Sequence, residues 1–195
     1  MPRSRDKIKL ELKESDIPFY DPYLIVKKRR GEWQKEYNQM TIRRANENDI
    51  PRLLELLEQV LQIHADIRPD IFIPGTTKYT NEELSQMIKD DTRPIYVAAD
   101  ENDNCLGYAF CQLQEQPFSN NMVPFTSLFI DDLCVDASTR GQHIGEKLFV
   151  HVKEEAKRLG CYEVTLNVWA GNTSAEKFYE KMGLKTKEQQ MEYIL

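Results

Sequence analysis

Two neighbouring carboxylates, Asp131 and Asp132, lie just upstream of a glycine-containing stretch, Arg140-Gly-Gln-His-Ile-Gly145. The two features suit two halves of one reaction. A carboxylate can bind a cationic amine and accept its proton, directly or through water, and an amine must lose a proton before it attacks. A turn that enters a helix leaves backbone N–H groups pointing at one spot, beside the positive end of the helix dipole, which suits a phosphate. The plainer readings are a solvated or ion-paired carboxylate and an ordinary strand–helix turn. Adjacent residues of a strand face opposite sides, so one of the two aspartates is expected to reach a cleft.

The elements that must position these groups can be read around them. Ile130, Leu133 and Val135 give an apolar strand running into the turn. Ile144, Leu148, Val152, Ala156 and Leu159 follow at helical spacing, and Gly160 is a natural stop. Residues 161–169 (CYEVTLNVW) read as the next strand. Together they make a βαβ unit, whose crossover is right-handed. Asn172 or Thr173 caps a last helix stopped by Gly183, with Thr173 and Glu176 as a possible capping box, and residues 184–195 supply one or two closing strands. Upstream, Thr41 to Ala45 is a short strand. Ile50, Leu53, Leu54, Leu57, Val60, Leu61 and His64 mark one face of a helix. Pro69, Pro74 and Gly75 mark a loop, and Thr80 with Glu83 forms a capping box opening a second helix. Residues 95–99 and 105–116 are strands, with Gly107 at a possible bulge. The order β-α-α-β-β-β-α-β-α-β predicts an α/β or mixed α+β domain with helices on both faces of a mixed, partly antiparallel sheet.

Residues 1–39 differ from the rest. They hold ten Lys/Arg against seven Asp/Glu, whereas residues 40–195 hold sixteen against twenty-five. Ile8, Leu10 and Leu12 alternate with charges, and Lys27 to Arg30 form a basic cluster. This segment reads as an arm or a poorly ordered extension, or as sequence upstream of a start at Met40. Residues 40–195 make one domain. Its acidity speaks against nucleic acid and favours cationic ligands. There is no apolar run near the ~18 residues that span a membrane, and no export signal, so a cytoplasmic protein is expected. Cys105, Cys111, Cys134 and Cys161 show no metal-ligand spacing, so no metal is expected, and Cys134 and Cys161 are expected to pack within strands.

From Met40 to Leu195 the sequence resembles the GNAT N-acetyltransferase superfamily. Arg140-Gly-Gln-His-Ile-Gly145 resembles its acetyl-CoA loop, Leu166-Asn-Val-Trp169 its splayed strand, and Asn172 to Gly183 its N-x-x-A-x-x-F-Y-x-x-x-G segment. The resemblance implies a cleft for acetyl-CoA as cosubstrate. Backbone groups of Arg140, Gly141, Gln142, His143, Ile144 and Gly145 would hold the pyrophosphate. Those of Leu133, Cys134 and Val135 would hold the pantetheine arm and polarise the thioester. Asn172 would contact the cofactor or cap its helix. It also implies Tyr179 as general acid for the leaving thiolate, and likens the aspartate pair to an acidic pair in polyamine acetyltransferases. His143 departs from the pattern by standing where glycine is usual. His64, Arg68, Asn167 and Trp169 are further candidates for the acceptor pocket. The expected reaction is direct acetyl transfer to a small cationic amine, such as a polyamine, amino acid or aminoglycoside. Alternatives are a protein N-terminus or lysine as acceptor, or a non-catalytic acyl-CoA-binding module. A homodimer is common in the family.

Overall fold

The computed structural model describes residues 24–29, 32–37, 40–116 and 120–195. It divides into a unit of residues 1–40 and a unit of residues 41–195. In the first, β1 (Leu24–Arg29) and β2 (Glu32–Tyr37) pair as an antiparallel hairpin. The strand expected around Ile8, Leu10 and Leu12 lies outside the described residues.

The second unit runs β3 (Thr41–Arg44), α1 (Ile50–Ile67), α2 (Asn81–Ile88), β4 (Ile95–Ala99), β5 (Cys105–Glu115), β6 (Thr126–Val135), α3 (Ile144–Arg158), β7 (Glu163–Leu166) and α4 (Thr173–Lys181). The strands form one sheet in the order β3-β4-β5-β6-β7, antiparallel except for the parallel pair β6–β7. This is the mixed α/β architecture that the sequence pattern predicts. Both limbs of the Thr80–Glu83 capping box form: Thr80 Oγ1 accepts the Glu83 N–H at 3.2 Å, and Glu83 Oε2 accepts the Thr80 N–H at 2.8 Å. Pro51 opens α1, where its missing N–H costs nothing.

Alternation along the strands divides the core between the two sheet faces. Ile95, Val97, Tyr108, Phe110 and Cys134 pack with Leu53, Leu56 and Leu57 of α1 and Leu84 of α2. Tyr96 meets His151 of α3 on the other face, with ring centroids 4.8 Å apart. Each fully buried Leu or Phe contributes about 1.5–3 kcal/mol through lost contact with water.

Two irregularities shape the middle of the sheet. In the first, Ala98 pairs with Gly107 but Ala99 pairs with Cys105, so Leu106 is an extra residue beside Gly107. Gly107 is glycine for a different reason: a Cβ there would lie 2.6 Å from the Cys134 carbonyl oxygen of β6. In the second, Phe110 pairs with Asp132 and Cys111 with Ile130, which leaves Asp131 as an extra residue on β6. Such a bulge interrupts the strict alternation of side chains.

Strands β6 and β7 pair only from Ser127 with Glu163 to Ile130 with Leu166. Beyond Ile130, β6 continues to Val135 without β7 beside it. The strand expected over residues 161–169 is therefore shorter, and Cys161 precedes it and is half-exposed. The closing strands expected over residues 184–195 do not form. Lys185, Lys187, Glu188, Gln189 and Gln190 leave this stretch no continuous apolar face, and Met191, Tyr193, Ile194 and Leu195 are exposed. The α4 start also differs from the capping-box expectation. Asn172 alone caps it, accepting the Ala175 N–H at 3.2 Å.

Candidate active site

The place where β7 leaves β6 is where Asp131 and Asp132 begin, so the opening has the acidic pair on its rim. Residues 68–79, the connection from α1 towards α2, supply partners to it. Tyr79 stacks on Phe110 at 5.6 Å and donates its hydroxyl proton to Asp131 Oδ2 at 2.9 Å. Lys78 Nζ reaches the same carboxylate oxygen at 2.7 Å. Tyr108, fully buried on β5, packs edge-on against Phe110 and donates its hydroxyl to Asp132 Oδ2 at 3.2 Å. Phe110 is thus the register partner of Asp132 and the ring beneath the tyrosine that holds Asp131. The two aspartates take separate partners, Lys78 and Tyr79 on Asp131 and Tyr108 on Asp132, with both tyrosine rings packed on Phe110, and the bulge at Asp131 interrupts the strict alternation behind the expectation of a single cleft-facing aspartate.

The two carboxyls differ electrostatically. Burial pushes the Asp132 carboxyl up to about 6; Lys78 and the Tyr108 hydroxyl pull it down, Asp131 repels its charge, and the Leu133 amide pulls it down again. It is an acid that changes state just below neutrality, as suits a base operating near pH 7. Tyr79 is held well above the usual phenol range by burial and by the charge of Asp131.

Tyr179 projects from α4, with its ring 5.0 Å from that of Phe178 and 6.3 Å from that of Phe149. Burial raises its phenol well above the usual range, and the charge of Asp132 adds to this, so it keeps its proton.

A second group of side chains lines the α1 end. His64 meets Phe72 at 5.2 Å, Phe72 meets Trp169 edge-on at 5.2 Å, and the Arg68 guanidinium lies 5.8 Å from the Trp169 ring centre. Burial depresses the His64 imidazole, and the Lys78 charge depresses it further, so it is neutral at pH 7. Arg68 is committed to two carboxylates, Asp70 at 2.7 Å and Glu192 at 2.7 Å. Three of the four sequence-nominated residues, His64, Arg68 and Trp169, thus come together in one cluster with Phe72. Asn167 is exposed just past β7 and takes no part in those ring and ion contacts.

The turn after β6 has its own scaffold. Asp136 is buried and ion-paired with Arg52 of α1; it accepts from Gln59 Nε2 at 3.3 Å and from the Ser138 N–H at 2.7 Å. Hydrogen bonds from Ser138, opposed by burial and aided by Gln59 and Arg52, hold its carboxyl down to about 2. Gln59 Oε1 also accepts the Ala137 N–H at 3.2 Å. Arg140 Nε donates to the Val135 carbonyl at 3.3 Å, which folds the turn back on its strand. Gly141 and His143 both take left-handed backbone angles, with φ of +80° and +61°. His143 is the N-cap of α3 and supplies no side-chain cap, so the N–H groups of the first helical turn have no capping partner from it. Its Nδ1 instead lies 3.2 Å from Glu146.

This geometry fits a pyrophosphate: uncapped helix donors, open space around Gly141, and an arginine at the turn. A Cβ at Gly145 would meet Phe178 of α4 at 3.4 Å and Val135 at 3.5 Å, ordinary contact distances. Ile144 and Cys134 are buried core residues, and the Cys134 thiol donates to the Leu56 carbonyl at 3.6 Å. Leu133 and Val135 are half-buried, Arg140, Gly141 and Gln142 are exposed, and Asn172 is spent on its cap. Among the described residues, no group of three or more His, Cys, Asp or Glu is placed to hold a metal.

Lys78, Tyr79, Tyr108, Phe72 and Asp136 are absent from the sequence-based site. Asp136 carried a local signal, an Asp-x-Ser turn directly after the strand. The others reach the site only through tertiary folding.

The comparisons with known proteins agree with this fold. The profile of the "Acetyltransferase (GNAT) family" matches residues 57–184. Glucosamine 6-phosphate N-acetyltransferase from Arabidopsis thaliana is 28% identical over 121 residues, covering 60% of this chain and 78% of that protein. Peptidyl-lysine N-acetyltransferase YjaB from Salmonella typhimurium is 31% identical over 105 residues, covering 53% and 59%. The crystal structure of a mutant of the BH1408 protein from Bacillus halodurans superposes with a TM-score of 0.76 at 27% identity, covering 80% of this chain and 99% of that one.

Proposed function

The chain belongs to the acetyltransferase (GNAT) family and is a GNAT-type N-acetyltransferase, and on that premise we propose that it moves the acetyl group of acetyl-CoA to a small cationic primary amine by direct attack in a ternary complex. The observation that carries this reading is that the pairing of β6 and β7 ends at Ile130, immediately before the two aspartates. Acetyl-CoA, when bound, supplies the activated thioester.

The residues divide the remaining work. The turn of Arg140 to Gly145 holds the pyrophosphate through its backbone donors. The free edge of β6 from Leu133 to Val135 offers backbone groups to the acyl arm and an amide to the carbonyl oxygen as charge develops on it. Asp131 orients the incoming ammonium. Asp132 accepts its proton, and Tyr179 donates one to the leaving sulfur. The seating of the Lys78 ammonium on Asp131 supports a cationic acceptor, since a primary alkylammonium is what that carboxylate already binds. The named relatives act on an amino sugar phosphate and on peptidyl lysine, both primary amines.

A thiol-release assay with acetyl-CoA tests the reading across polyamines, amino acids, amino sugars, aminoglycosides and lysine peptides. Release with at least one small amine, well above the rate with peptides, is the expected result. Tight acetyl-CoA binding with no release by any amine would identify a binding module instead.

A further inference from the structure

We infer that Lys78 is itself an acetyl acceptor, so that the enzyme acetylates its own Lys78 and thereby frees Asp131 for an external amine. The inference rests on the acetyl-transfer reading above. Lys78 is part of the connection that spans the acceptor side, between the Phe72–Trp169 contact and the Tyr79–Phe110 stack. Its Nζ lies 2.7 Å from Asp131 Oδ2, and its side chain is 43% exposed, so it can leave that oxygen without unpacking the core. The same Nζ lies 5.4 Å from the Tyr79 ring centre, and that tyrosine bonds the same Asp131 oxygen, so the ammonium sits directly on the acidic pair's network. Other lysines in ion pairs face carboxylates outside this group: Lys89 with Glu47, Lys157 with Glu154, Lys181 with Glu146 and Lys187 with Glu163. Lys78 thus occupies the position that an acceptor ammonium would take.

The step balances without another reactant. Asp132 takes a proton from the Lys78 ammonium, and the freed lone pair on Nζ attacks the thioester carbonyl carbon. As the adduct collapses, the C–S bond breaks and an amide C–N bond remains. The sulfur leaves with the Tyr179 proton, and the second Nζ proton passes to solvent as the amide forms. The product is neutral and has no ammonium to pair with Asp131. Asp131 then carries an uncompensated charge at the opening, which favours a cationic acceptor. Lys78 in its unmodified form competes with that acceptor.

The full-length protein is incubated with acetyl-CoA and no added amine, over a range of protein concentrations, and followed by intact mass and peptide mapping. The expected result is one acetyl group on the Lys78 peptide, with a rate constant independent of protein concentration. Lys78→Arg, which keeps the ion pair, loses the modification while still binding acetyl-CoA. Asp132→Asn slows it at least roughly tenfold, the scale of losing a positioned base. Pre-acetylated protein shows a lower KM for a cationic amine. Normal turnover of an external amine with Lys78 unmodified overturns the inference and leaves the enzyme reading intact. Acetylation scattered over surface lysines and unaffected by Asp132→Asn overturns it as well. Failure of both Lys78 and every external amine to accept acetyl overturns the inference and the acetyl-transfer reading together.

Discussion

The turn at 140–145 and the acidic pair at 131–132 are separated by a few residues of chain, yet they are built in opposite ways. The turn works through its backbone. Its left-handed residues, Gly141 and His143, and its uncapped helix start come from one contiguous segment. The acidic pair works through side chains, and those that set its character come from elsewhere. Lys78 and Tyr79 come from the connection before α2 and Tyr108 from β5. The turn is one structural device that tolerates many side chains, whereas each member of the acceptor network has a distinct chemical task. Substitutions on the acceptor side should therefore change turnover with little change in acetyl-CoA binding. Substitutions at the turn's anchor should do the reverse.

The largest effect is expected at Asp132. Asp132→Asn keeps the shape and removes the base, and kcat should fall by roughly 10²–10⁴-fold with acetyl-CoA affinity unchanged. The same substitution should stabilise the fold at pH 8. The raised carboxyl binds its proton more tightly in the folded state, so its stabilising contribution is full below about pH 4 and is lost as the pH rises through about 6. Thermal melting at pH 8 against pH 4 measures the difference. A variant that lost turnover and cofactor affinity together would break the division into two sides.

Tyr179→Phe comes next. It keeps the ring packing on Phe178 and Phe149 and removes the proton donor. A fall in kcat of about 10²-fold is expected where departure of the CoA thiolate limits turnover, and a smaller one where attack by the amine limits. Pre-steady-state thiol release checks it. Unchanged turnover would reduce Tyr179 to a packing residue.

Asp136→Asn tests the other side. Losing a charge-assisted bond to Arg52 costs about 1.5–3 kcal/mol and should loosen the turn, so the KM for acetyl-CoA rises while kcat for the amine moves little. Because the Asp136 carboxyl is depressed, its stabilisation is present above about pH 4 and disappears as the pH falls towards about 2. Acid unfolding of the wild type should therefore be steeper than that of the variant over that interval. The smallest effect is expected at His143→Gly. A left-handed non-glycine residue costs about 1 kcal/mol, and glycine removes that cost while losing the contact with Glu146. Denaturant melts should show a small gain in stability, and cofactor KM should stay close to that of the wild type.

The same contrast explains what the sequence makes legible. The turn, the α3 stripe and the α4 cap are encoded within short windows by glycine, periodicity and capping chemistry, and they form close to where they are expected. The Asp131–Asp132 orientation is not local. It depends on a bulge that appears only when β5 and β6 pair, and one extra residue in a register leaves no mark in composition. Lys78 lies 53 residues from Asp131 in sequence, in a stretch that reads as a loop and gives no periodicity to follow. The missing closing strands show the reverse error. Residues 184–195 carry enough apolar residues to suggest strands, but their charged and amide residues leave no face to bury.

The central claim is that Asp132, raised by burial beside a cleft opened by strand divergence, is the base for acetyl transfer. The most direct measurement is the pH dependence of kcat/KM for the amine in wild type and Asp132→Asn, with acetyl-CoA binding followed alongside. The wild-type profile should rise through an inflection near pH 6 that is absent from the variant, while acetyl-CoA binding stays equal. An inflection that persists unchanged in Asp132→Asn would contradict the account.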